Sequence, residues 1–132
     1  MKALSLHPRW AAQILAGDKT VECRTWRTHY RGDLLICASS RRTPGCIAGH
    51  ALAVAKLTDI VSFTEAHLAA ACMDEMPDKP SYAWILDDIR AIEPFPVKGR
   101  LNLFEVEAAI RLLPDDITQD ERTALYNPLL GR

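Results

Sequence analysis

The sequence contains no long apolar run: nowhere does it approach the ~20 consecutive hydrophobic positions needed to cross a bilayer. His7 and Pro8 interrupt its beginning before a signal-peptide core forms, so a cytoplasmic protein without a membrane partner is expected. Chelating pairs are missing too. Cys23, Cys37, Cys46 and Cys72 stand 14, 9 and 26 positions apart, with no C-x-x-C to hold zinc or exchange disulfides. The histidines His7, His29, His50 and His67 form no H-x-x-H and no Ser/His/Asp pattern. No metal and no cofactor is therefore expected, and the thiols should be reduced. The net charge of only −1 argues against a protein that coats nucleic acid through diffuse electrostatics.

What is present describes an ordinary globular domain: 132 residues, 48% apolar and 25% charged. The charge is unevenly spread. Residues 1–50 carry 8 Lys/Arg against 3 acids, and residues 51–132 carry 8 against 14, giving halves of +5 and −6. Such asymmetry fits an anionic partner on one part of the surface, or two halves that attract each other across the fold.

Period and punctuation predict the elements. A short strand at 3–6 leads through Pro8, suited to a first helical turn, into a helix carrying Trp10, Ile14 and Leu15 and stopping at Gly17. Residues 20–26 alternate as a strand, placing Val21, Cys23 and Thr25 on one face and Thr20, Glu22, Arg24 and Trp26 on the other. Residues 34–38 read as a buried strand and 39–45 as a polar loop. Residues 50–63 read as a core strand bent near Leu57. A helix is expected over 65–73 and a strand at 82–86. A turn at Asp87-Asp88, a short β segment at 89–92, a closing strand at 103–108 and a helix at 115–122 follow. Six or seven short strands with two or three helices favour an α+β barrel over an alternating parallel sheet.

The segment Gly17-Asp18-Lys19-Thr20-Val21-Glu22-Cys23-Arg24 resembles the G-x-K-x-x-E-x-R signature of the ASCH family. Its context is similar as well: Leu4 to Gly17 resembles the family's opening strand and helix, and Trp26 with Tyr30-Arg31-Gly32-Asp33-Leu34-Leu35-Ile36-Cys37-Ala38-Ser39 resembles its W…Y-R-G-x-L-L-I-H-A-S segment. Tyr82-Ala83-Trp84 and Pro94-Phe95-Pro96-Val97-Lys98-Gly99 resemble a later strand and a P-x-P-x-x-G turn. The resemblance implies a PUA-like mixed barrel of about six strands with two or three flanking helices. It covers residues 3 to about 108, and the expected domain is 1–110, with 111–132 a helical tail packed on or extending from the same domain. Cys37 stands where relatives often have His. Glu22 stands where some relatives, which hydrolyse acetylated cytidine, have Thr.

Three functions follow. A binding module would take RNA or a nucleotide-like ligand in a cleft formed by the signature. Lys19, Glu22 and Arg24 would lie at its centre, Trp26, Tyr30 and Trp84 would stack on bases, Arg27, Arg31 and Arg41 would meet phosphate, and Ser39 would donate from a strand end. An enzyme, a ribonuclease or an amidohydrolase of an acylated pyrimidine nucleoside, would use Lys19 and Glu22 as an acid/base pair. A protein-interaction scaffold would pair its charged halves with another chain.

Overall fold

The computed structural model describes residues 1–131. Strand β1 (Lys2–Leu6) leads into helix α1 (Pro8–Leu15), and β2 (Val21–Arg24), β3 (Gly32–Ala38), β4 (His50–Ser62), β5 (Tyr82–Pro96) and β6 (Leu103–Glu105) follow. Helix α2 (Gln119–Tyr126) closes the chain with a 3-10 turn at Asn127–Leu129. The strands form one sheet in the order β2-β5-β4-β3-β1-β6, curled as a half-barrel of α+β class. Only β1 and β3 run parallel, because α1 carries the chain back across the sheet between β1 and the later strands.

Sequence explains these elements locally. Pro8 occupies the first turn of α1 where its missing N–H costs nothing, and the His7 side chain caps the helix from the Arg9 amide. Pro8, Ala11 and Ile14 fall on one face and pack against the sheet. Leu34, Ile36, Leu52, Leu57 and Trp84 meet them in the main core, on one side of the sheet. Leu35, Cys37, Val54 and Ile92 build a second cluster.

Four expectations are corrected. The stretch 65–73 is not a helix: a 3-10 turn at Glu65–His67 gives way to turns ending at Cys72, whose φ of 55° is left-handed. Tertiary pairing overrides the alanine-rich propensity there, since the Ala70 carbonyl accepts from the Thr20 and Val21 amides. Asp87-Asp88 does not separate two strands; β5 passes through it as an irregularity, with Asp88 at φ 47° and shifted register against β4. Helix α2 begins later than expected, where Thr118 caps Glu121, and β6 ends at Glu105.

The tail is fastened to the 43–47 loop. Gly131 donates to the Cys46 carbonyl at 2.7 Å and accepts from the Gly45 amide at 2.9 Å. A Cβ at Gly131 would stand 2.4 Å from the Thr43 carbonyl oxygen, so only glycine fits this approach. Among the described residues no helix is long and apolar enough to cross a membrane.

Burial pushes the Cys37 thiol up to about 12, because its thiolate would lie unsolvated between strands. A folded value above the ordinary 9.0 means that this contribution is complete below that pH and is lost as pH rises toward 12. In that window the unfolded chain releases a proton that the native chain keeps, so stability should fall by about 1.4 kcal/mol per pH unit from this group. Urea unfolding of the native protein and Cys37→Ala between about pH 8 and 10.5 checks this; equal slopes in the two proteins would contradict it.

Candidate functional site

Gly17, at φ 83°, ends α1, and the amides of Asp18 and Lys19 both donate to the Gln13 carbonyl, at 3.0 and 3.1 Å. This tight exit drives the Lys19 side chain inward. Its Nζ donates to the Ala71 carbonyl at 2.6 Å and lies 3.7 Å from Glu22 Oε1. It also stands 5.8 Å from the Trp10 ring centroid, within cation–π range.

Glu22 and Arg24 share a strand face, as alternation requires. Glu22 Oε1 also accepts from the Cys23 amide at 3.0 Å, and Oε2 lies 3.2 Å from Arg24 Nη2. Arg24 Nη2 donates in addition to the Ser5 carbonyl at 3.0 Å. Lys19 and Glu22 are 2% and 1% exposed and the Arg24 side chain 22%, so the row of cation, anion and cation is buried at its first two members and partly open at the third. Arg24 Nε is buried with no partner.

Two hollows flank Trp10. A small one of 170 Å³ is bounded by Trp10, Lys19, Glu22, Cys23, Cys72 and Met73. A larger cleft of 560 Å³ runs from Ser5, His7 and Trp10 past Arg24 and Trp26 to Ser39, Ser40 and the 98–102 loop. Arg24, Lys98 and Arg100 line this cleft, and no aspartate or glutamate does. Electrostatically it is a cationic trough whose lining also carries the hydroxyls of Ser5, Ser39 and Ser40 and the indoles of Trp10 and Trp26. The His7 ring lies 5.7 Å from the Trp10 ring, and Trp26 leans edge-on against Trp84 at 4.7 Å.

The residues singled out from sequence are therefore divided. Arg24, Trp26 and Ser39 reach the cleft, while Lys19 and Glu22 lie behind it and line the small hollow. Trp84 is fully buried and its indole N–H donates to the Trp26 carbonyl at 3.1 Å, so it presents no face to a ligand but holds Trp26 in place. Arg27 lies over the Tyr82 ring at 5.5 Å. Arg31 donates to the carbonyls of Thr28 and Tyr30 and lies 3.7 Å from Asp59, and Tyr30 donates to the Asp33 carbonyl. These residues close the turn before β3 and do not line the cleft, and neither does the exposed Arg41. Among the described residues no group of three or more His, Cys, Asp or Glu could hold a metal ion.

Sequence reasoning missed Lys98, Arg100, His7 and Trp10 as cleft residues. One signal was available in the glycine between the two cations. A Cβ on Gly99 would stand 2.4 Å from Ser5 Oγ and 3.0 Å from Ser5 Cβ, so the absent side chain lets the loop close on β1. Gly99→Ala should lift the loop away from Arg24. We expect ligand affinity to fall by about tenfold, roughly 1.4 kcal/mol, with the melting temperature little changed. Unaltered affinity in a binding titration would show that the loop's seat does not matter.

The ASCH domain model matches residues 4–96. No curated protein matches the chain. Among solved structures, the ASCH protein of Zymomonas mobilis superposes with a TM-score of 0.58 at 20% identity, covering 99% of this chain and 96% of that one. Two single-substitution variants of that protein give 0.59 at 22% identity and 0.56 at 23% identity. The first covers 96% of this chain and 94% of its own, the second 98% of each. At these identities the likeness shows the shared fold.

Proposed function

We propose, on the premise that the chain belongs to the ASCH domain family, that the cleft between β1, β2 and the 98–102 loop binds the phosphate of a nucleotide or of single-stranded RNA. The observation that carries this reading is the cleft's lining: Arg24, Lys98 and Arg100 with no carboxylate among the described residues, and Trp10 and Trp26 beside them. Glu22 and the Ser5 carbonyl both take Arg24 Nη2, which fixes the guanidinium plane and leaves other donors for phosphate oxygens. The Nε–H, buried and unpartnered, gains a hydrogen bond when an anion arrives. An indole accepting a flat base contributes about 1–3 kcal/mol.

The test is a titration of labelled single-stranded RNA across salt concentrations. Three phosphate contacts should give a log–log slope of about −2, and a duplex of the same sequence should bind more weakly. Absence of binding at low salt, or an affinity indifferent to salt, would defeat the proposal.

A second reading is favoured by the small hollow, which brings an ammonium and a carboxylate to one place beside Trp10. There Lys19 and Glu22 would act as acid and base on RNA or an acylated pyrimidine nucleoside. Both Glu22 oxygens and Lys19 Nζ already have partners, so this chemistry requires ligand to displace one of them. Incubation with acylated cytidine and with RNA, followed by product analysis, decides it: turnover lost in Lys19→Met supports the reading, and inert substrates reject it.

A further inference from the structure

Away from this cleft, the C-terminal half of α1, the 45–47 loop and α2 enclose another hollow, of 310 Å³. Its floor is apolar, with Ala12, Leu15, Ile47 and Leu52. The small side chain of Ala12 helps leave the space open. Its roof is unusual for a helix lying on a domain. Gln119, Arg122, Thr123 and Tyr126 are spaced i, i+3, i+4 and i+7, so one face of α2 points inward, and that face is polar.

The chemistry of this roof is one-sided. It offers amide, guanidinium and hydroxyl donors, and among the described residues no carboxylate lines the hollow. Glu121, one residue before Arg122, is turned back to the Thr118 hydroxyl at 3.0 Å. Among the described residues the Arg122 guanidinium forms no ion pair with any acid. The Tyr126 hydroxyl is buried with no hydrogen-bond partner. A buried unpaired hydroxyl and an uncompensated guanidinium over an apolar floor together ask for one kind of occupant.

We propose that this hollow is a second ligand site, for a small carboxylic acid with an apolar body. Its carboxylate sits between Arg122 and the Tyr126 hydroxyl, and its body lies on Leu15, Ile47 and Leu52. A guanidinium fork matches the two oxygens of a carboxylate, and the hydroxyl supplies a third donor. Taking about 30 Å³ as the share of one water, the space holds on the order of ten waters, which matches an aromatic or short-chain acid. The site is independent of the nucleotide reading, since the two hollows share no lining residue.

Benzoate and its uncharged analogue benzamide are the probes, followed by amide chemical shifts of the full-length protein. Saturable shifts at Leu15, Ile47, Thr123 and Tyr126 are expected, with benzoate bound at least about tenfold more tightly than benzamide. Arg122→Gln should erase that difference, and Ala12→Met, which fills the floor, should abolish binding of both while the rest of the spectrum is unchanged. Equal affinity for acid and amide in the native protein, shifts confined to the Arg24 cleft, or no saturable shift at either location would overturn the proposal.

Discussion

Replacing Glu22 by Gln should destabilise the protein by about 3–5 kcal/mol, because it leaves two cations in or beside the core without their shared anion. The carboxylate is 1% exposed and links Lys19, itself 2% exposed, to Arg24. Glutamine keeps the shape and removes the charge. Lys19 Nζ is then left with the Ala71 carbonyl and Arg24 Nη2 with the Ser5 carbonyl, neither of which offsets a full charge. Against a typical total of about 5–15 kcal/mol the loss is large, and it should appear as a urea midpoint well below that of the native chain. The double variant Lys19→Met with Glu22→Gln should recover part of it, since a buried pair removed together costs less than one broken. A Glu22→Gln protein of native stability would show that the row is hydrated and weakly coupled.

The second large effect concerns binding. Lys98→Ala combined with Arg100→Ala should weaken single-stranded RNA about 10–100-fold at low salt, equivalent to about 1.4–2.8 kcal/mol. It should also reduce the steepness of the salt dependence by about 1.4, two contacts at 0.7 each. Both side chains are exposed and have no ion pair among the described residues, so stability should move by no more than about 0.5 kcal/mol. That separation of effects makes the pair more informative than Arg24→Ala, which would also strip Glu22 of a partner. An unchanged affinity and slope would remove the 98–102 loop from the interface.

How far the site was legible in the sequence depended on the range of the forces involved. Strand alternation alone put Glu22 and Arg24 on one face, and they meet there at 3.2 Å. Nothing local could show that Lys19 would be sealed by the Ala71 carbonyl, a contact 52 positions away, made by a segment whose composition argued for helix. Trp84 sat between Ala83 and Ile85, and its apolar neighbours proved the better guide than its stacking capacity. Lys98 and Arg100 were masked by the acidic balance of residues 51–132, although folding carries them to the Ser5 end of β1. Net charge by sequence half does not see such crossings. Asp87-Asp88 gave a true signal of backbone irregularity, but β4 runs alongside and keeps the strand continuous through it.

The most direct measurement is a crystal structure of the protein with a nucleoside 5′-monophosphate bound. Phosphate oxygens within hydrogen-bond reach of the Arg24 guanidinium, with Lys98 or Arg100 alongside and the base against Trp10 or Trp26, are the expected result. A nucleotide seated elsewhere on the sheet, with Arg24 still bonded only to Glu22 and Ser5, would contradict the central claim that this buried row exists to aim one guanidinium into an anion-binding cleft.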